Sequence, residues 1–280
     1  RSGAASEMPI IRRIGNFLWS HLVSFIGSQR VADPASGMRV LRRSALDQLY
    51  PLPDGLNFTP VMSTRAVHEG LRVVEIPIPY SERVGRSKLS VIRDGTRFLT
   101  TILWTSLEYN PVRLLGLVGL AALGLALLIG LGILALRLQG ITALGPWESF
   151  GVFSALVLGV AGVSIFCLGA TFNYLVSLFH RRPIRQGLFG RPLFAVPLER
   201  RFGGLGILVG STGVALGSVS LAFSLWEGWD IARLWFWLLV SALLVLVGLQ
   251  LGISWVLMQV LHQLSEREVS SRRDIEPASG

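Results

Sequence analysis

Beyond Pro111 the chain holds four long runs free of Asp, Glu, Lys and Arg, and no other feature constrains its fold as strongly. The first, 114–136, has 23 residues; a helix of that length spans about 35 Å, enough for the roughly 30 Å hydrocarbon core of a bilayer. The others cover about 149–178, 203–226 and 234–264, so residues 111–264 read as four transmembrane helices and 265–280 as a polar tail. Composition excludes an ordinary soluble domain. Hydrophobic residues make up 51% of the chain and charged residues 15%, where soluble domains carry about 25% charged residues.

The loops between the runs set an orientation. Residues 179–202 hold six Arg and one Glu, whereas 137–149 and 227–233 hold one Arg each beside acidic residues. By the positive-inside rule the arginine-rich loop is cytoplasmic, and four spans then return both termini to the cytoplasm. Residues 1–111, with 14 Lys and Arg against 9 Asp and Glu, agree. An apolar, basic chain of net charge +9 points to anionic lipid rather than nucleic acid as its partner. The expected location is the membrane of a bacterial or archaeal cell. Gly116, Gly119, Gly124, Gly130 and Gly132 in the first run, and Gly206, Gly210, Gly213 and Gly217 in the third, have the spacing that lets helix backbones approach. Packing within the bundle or in a homo-oligomer is the expectation. Too few ionisable groups lie in the runs for an ion pathway.

Residues 1–110 mix elements. Residues 8–26 read as a helix with Pro9 in its first turn and Ile10, Ile14, Phe17, Leu18, His21 and Phe25 at helical spacing. Short strands are expected near 31, over 38–42 and over 71–78, and short helices over 45–49 and from Pro60 to Gly70. Residues 87–104 put Leu89, Ile92, Thr96, Leu99 and Leu103 on one face, with Lys88, Arg93, Asp94 and Arg97 mainly off it; an interfacial helix requires such a pattern.

Three clusters could carry chemistry. Asp33-Pro-Ala-Ser-Gly-Met-Arg39 concentrates an acid, a hydroxyl and a guanidinium in one turn; equally, it reads as an Asx turn with a solvated arginine. Glu82-Arg-Val-Gly-Arg-Ser-Lys88 gathers cations around a Gly and a Ser, as a phosphate site or as a basic loop attracted to lipid headgroups. Arg12-Arg13 with Asn16 is a third basic group, or a plain charged helix face. No P-loop, HExxH, GxSxG or Asp-x-Asp occurs, and one Cys excludes a disulfide framework.

In this order, ahead of a membrane bundle, Arg12-Arg-Ile-Gly-Asn16, Asp33-Pro-Ala-Ser-Gly-Met-Arg39, Val74-Glu-Ile-Pro-Ile-Pro-Tyr80 and Arg83-Val-Gly-Arg-Ser-Lys-Leu89 resemble the C-terminal part of a family 2 glycosyltransferase. The branch is that of the dolichol-phosphate mannosyltransferase-like enzymes. The resemblance covers residues 1 to about 110 and implies a partial α/β domain of GT-A type, followed by the all-α bundle of four transmembrane helices. It implies transfer of a sugar from a nucleotide-sugar donor to a polyprenyl or dolichyl phosphate at the cytoplasmic face. Mg2+ or Mn2+ is implied too, with its main ligands in a preceding half-domain that this sequence lacks, so that the chain alone is expected to be inactive. By resemblance Asp33, Ser36 and Arg39 form the active-site loop, and Arg12, Arg13, Asn16, Arg83, Ser87 and Lys88 bind the acceptor phosphate. The family often places a Ser four residues after the relevant Arg; here Asn16 follows Arg12 and Phe17 follows Arg13, so both arginines stay candidates. The rival expectation is a non-catalytic four-span protein that binds anionic or polyprenyl lipid or assists translocation of lipid-linked sugar.

Overall fold

The computed structural model describes residues 10–27, 29–76, 78, 90–141, 145–180, 199–228 and 231–275. It divides into two units, Arg1–Asn110 and Pro111–Gly280. The first contains α1 (Ile10–Ile26), α2 (Arg43–Leu49), a 3-10 turn (Gly55–Asn57), α3 (Phe58–His68) and α4 (Val91–Tyr109).

The centre of the first unit is α3, along which Pro60, Val61, Met62, Ser63, Thr64, Ala66 and Val67 are all buried. Pro60 sits in its first turn, where a missing N–H costs nothing, and Gly70 follows its end at φ +69°, a conformation that favours glycine. Val67 joins Val23 and Ile26 of α1, Val31 and Ile102 of α4 in one core, and Leu49, Met62 and Ala66 form a second. Each such side chain contributes about 1.5–3 kcal/mol by leaving water. At the start of α4 the Ser90 N–H donates to Asp94 Oδ2 at 2.7 Å, a reach-back that satisfies a donor the helix cannot use itself.

The expected α/β domain is not seen. Among the described residues 83% are helical and none lies in a strand. The physical reason can be read at residues 31–33, where a strand was expected and side chains take the place of a neighbouring strand. Val31 N–H donates to Ser24 Oγ (3.1 Å), Val31 O accepts from Ser20 Oγ (2.5 Å) and Ala32 O accepts from Asn16 Nδ2 (3.0 Å). With those groups satisfied, no ladder is required. Residues 72–76 are exposed and belong to no helix or strand, with prolines at 77 and 79 in the sequence, and among the described residues no strand stands beside them.

The second unit holds α5 (Pro111–Leu138), α6 (Pro146–His180), α7 (Glu199–Glu227) and α8 (Ile231–Ile275). Four segments, Pro111–Leu138, Pro146–Phe179, Arg201–Glu227 and Leu234–Arg267, are long and apolar enough to cross a membrane, and the chain is a membrane protein on that ground. Helix α5 packs on α6, α7 on α8, and α6 on α8. Glycine makes both close pairs. A Cβ on Gly119 would lie 2.7 Å from Gly162 O, and one on Gly248 only 2.5 Å from Gly210 N. Across the second pair Ser241 Oγ donates to Gly213 O at 2.8 Å. The sequence expectation therefore divides: Gly116 and Gly119 are buried, whereas Gly124, Gly130 and Gly132 face open space.

The two ends of the bundle differ. Near one, Trp147 and Trp226 are exposed, and the Arg137 guanidinium lies 5.4 Å from the Trp235 ring centroid, an aromatic girdle of the kind found at membrane interfaces. Near the other, the Tyr174 hydroxyl and His262 Nδ1 are 2.8 Å apart, and His262 Nε2 lies 3.2 Å from Glu266 Oε1.

Candidate functional site

The Asp33–Arg39 turn is the best-built polar feature of the first unit. It is held from two sides. Asn16, Ser20 and Ser24 recur every fourth residue, so α1 presents them as a polar row along which the backbone of Val31 and Ala32 lies. From the other side, the Glu75 carboxylate accepts from Ala32 N–H (2.8 and 3.0 Å) and Asp33 N–H (3.0 Å). Motifs separated by about sixty residues thereby meet at one loop.

Within the turn, Asp33 Oδ1 accepts from Ala35 N–H at 3.2 Å, as in an Asx turn, and Asp33 O accepts from Ser36 N–H at 3.3 Å. Arg39 is half-buried and bonded within the loop rather than fully solvated. Its Nε donates to Ser36 O (2.8 Å), and its Nη2 donates to Pro34 O (2.8 Å) and to Ser63 Oγ (2.7 Å). The buried Ser63 hydroxyl in turn donates to Pro34 O at 2.8 Å, so α3 forms the floor of the loop. Burial pushes the Arg39 guanidinium below its ordinary value, while Asp33 and Glu75 pull it back up. Gly37 and Met38 are left exposed at the tip.

Of the residues singled out in the sequence, Asn16, Asp33, Ser36 and Arg39 come together here. Arg13 is exposed on α1, one turn before Asn16. Arg12 belongs to α1, with its side chain outside the described set, and Arg83, Ser87 and Lys88 lie outside the described residues altogether. Glu75, Ser20, Ser24 and Ser63 were missed as site residues. The four-residue recurrence of Asn16, Ser20 and Ser24 was a readable signal, and so was a glutamate inside a β-rich run. Ser63 gave none.

Among the described residues no group of three or more His, Cys, Asp or Glu could hold a metal ion, and the carboxylates of Asp33 and Glu75 accept from backbone N–H groups. A second feature is an open cavity of about 550 Å³ between α3 and α4, lined among others by Asn57, Arg65, Thr101, Trp104 and Glu108. There Arg65 Nη1 donates to Leu49 O at 2.9 Å and also to Pro51 O, and Nη2 lies 3.7 Å from Glu108 Oε2.

Three proteins of Haloferax volcanii are similar to the chain. A dolichyl-phosphate hexose transferase is 32% identical over 104 residues, 37% of this chain and 45% of that protein. The low-salt glycan biosynthesis hexosyltransferase Agl6 is 28% identical over 168 residues, 59% of this chain and 38% of its own length. The glycosyltransferase AglJ is 28% identical over 135 residues, 46% and 44% of the two chains. The matches thus span less than half the length of each relative, and they support a glycosyltransferase family in the broad sense. No solved structure matches. The family described as "Domain of unknown function (DUF8752)" matches residues 111–272, more than half of the chain and all four of the described helices long and apolar enough to cross a membrane, so the chain belongs to the DUF8752 family.

Proposed function

We propose that this chain is part of a membrane-bound transferase that moves a sugar from a nucleotide-sugar donor to a polyprenyl or dolichyl phosphate at the cytoplasmic face. The observation that carries the proposal is the 32% identity to a dolichyl-phosphate hexose transferase in a chain with four membrane-crossing helices. In this reaction an oxygen of the lipid phosphate attacks the anomeric carbon, a C–O bond forms, and the bond to the nucleoside diphosphate breaks. A lipid phosphate is already an anion at neutral pH, so no strong general base is needed. What the protein supplies is position and positive charge. Arg12 or Arg13, with Arg83, Ser87 and Lys88, would hold the acceptor phosphate. Asp33, Ser36 and Arg39 would form the loop beside it, a loop whose backbone Asn16 and Glu75 hold fixed.

The test uses the full-length protein in membranes, with a labelled nucleotide sugar and polyprenyl phosphate. Replacing Arg83 and Lys88 together by Ala should lower transfer at limiting acceptor by at least about tenfold, the loss of one charge-assisted contact. Unchanged rates would remove both from the acceptor site. A second reading, lipid binding without transfer, draws on one observation: Asp33 and Arg39 are engaged by the backbone of their own loop. Binding of polyprenyl phosphate with no labelled product would favour it.

A further inference from the structure

The exposed side of α1 is apolar. Ile10, Ile14, Phe17, Leu18 and Phe25 are 74, 54, 60, 55 and 56% exposed, although helical spacing would have them serve as a core stripe. Steps of about 100° per residue place them, with His21, within an arc of about 100°, one face of the helix. The core of the unit takes the other side: Val23 and Ile26 are buried, Trp19 packs against them, and Asn16, Ser20 and Ser24 grip residues 31–32. The helix is therefore apolar on two sides, and the described core is built on one of them.

We infer that the open face of α1 lies in the membrane interface, its apolar side chains in the acyl boundary and its cations among anionic headgroups. Two observations select lipid as the occupant. The first is charge: α1 contains two Arg and no acidic residue, and Arg13 and Arg30 are exposed. A cationic helix with a polar side and an aromatic–aliphatic side suits that boundary. The second is tethering: α4 ends at Tyr109 and the first membrane-crossing helix starts at Pro111, so the unit that carries α1 joins the bilayer-spanning chain through a single residue. A soluble surface with five large side chains open to water would promote aggregation, and a bilayer surface relieves it. This inference rests on the membrane-crossing helices and not on the transfer chemistry.

Single cysteines at Phe17→Cys, Leu18→Cys and Phe25→Cys, with Gln48→Cys on α2 as control, would carry an environment-sensitive fluorophore. The full chain is reconstituted in vesicles of phosphatidylcholine and phosphatidylglycerol. Native Cys167 is buried and stays in place, its labelling in the parent chain being subtracted. The expected result is loss of emission at 17, 18 and 25 with nitroxide-bearing lipid and protection there from aqueous iodide, with the reverse at 48. Iodide reaching 17 and 25 as readily as 48 would overturn the inference. So would exclusion of both quenchers from those sites, because protein, from a second copy or another part of a longer chain, would then cover the face. All four sites are exposed, so the labels replace no core side chain.

Discussion

Ser63 does more for the Asp33–Arg39 loop than its size suggests. Its hydroxyl accepts from Arg39 Nη2 and donates to Pro34 O, in a position only 4% exposed. Ser63→Ala removes one of two donors to the Pro34 carbonyl and one acceptor of Arg39 Nη2, which stay bonded to each other, a cost of about 0.5–1.5 kcal/mol. The expected outcome is a lower thermal midpoint for the first unit and faster proteolysis within 31–39, measured on the full chain in detergent. Arg39→Lys should cost at least as much, because an ammonium cannot reach the Ser36 and Pro34 carbonyls in the fixed geometry of the guanidinium fork. The pH dependence has a definite sign. Burial lowers the Arg39 value, so folding disfavours its charged form, and that cost is relieved only as pH rises through the strongly alkaline range. Between pH 6 and 9 Arg39 should add no slope to the stability of the loop.

Among the helices, glycine has opposite meanings at positions with the same spacing. A Cβ on Gly248 would meet the Gly210 backbone at 2.5 and 2.6 Å, and one on Gly213 would lie 2.8 Å from Val245 N. Backbone cannot yield as a flexible side chain can. Gly248→Ala should therefore push α7 and α8 apart and destabilise the pair by about 1–3 kcal/mol. Gly130 meets nothing within 4 Å, so Gly130→Ala should be neutral or stabilising by up to about 1 kcal/mol, since alanine is the better helix former. Unfolding of the two variants in mild detergent, against the parent chain, checks both. Equal losses would mean that Gly130 packs against another copy of the chain. The Tyr174–His262 contact holds α6 to α8 near the end opposite the tryptophans and complements this glycine packing.

Over the full chain, the arginine bias of the loops predicts one direction of insertion, with the end between α6 and α7 in the cytoplasm. The arginine-rich residues 179–202 join α6 to α7 at one end, and exposed Trp147 and Trp226 lie near the other. A cysteine at Leu188 should react with an impermeant reagent only from the cytoplasmic side, and one at Leu138 only from the outside. Intact and inverted vesicles distinguish the two. Reversed labelling would turn the assignment of both termini around, and with it the face on which the proposed transfer occurs.

Four charge-free runs were enough to fix the helical second half, because a bilayer leaves a helix of about 20 apolar residues few alternatives. The charge of the loops, the helix over 10–26 and the chemical character of Asp33-Pro-Ala-Ser-Gly-Met-Arg39 were equally legible. Tertiary structure decided the rest. Residues 31–33 and 71–76 have β-type sequence and form no strand, since a strand exists only with a neighbour, and the side chains of Asn16, Ser20, Ser24 and Glu75 bond residues 31–33 instead. Helical spacing cannot say which of two apolar sides of α1 is buried, because periodicity records that a face exists and not what stands opposite it. For the same reason Gly119 and Gly130 look alike in sequence and differ in the fold: whether a missing Cβ matters depends on atoms contributed by another helix.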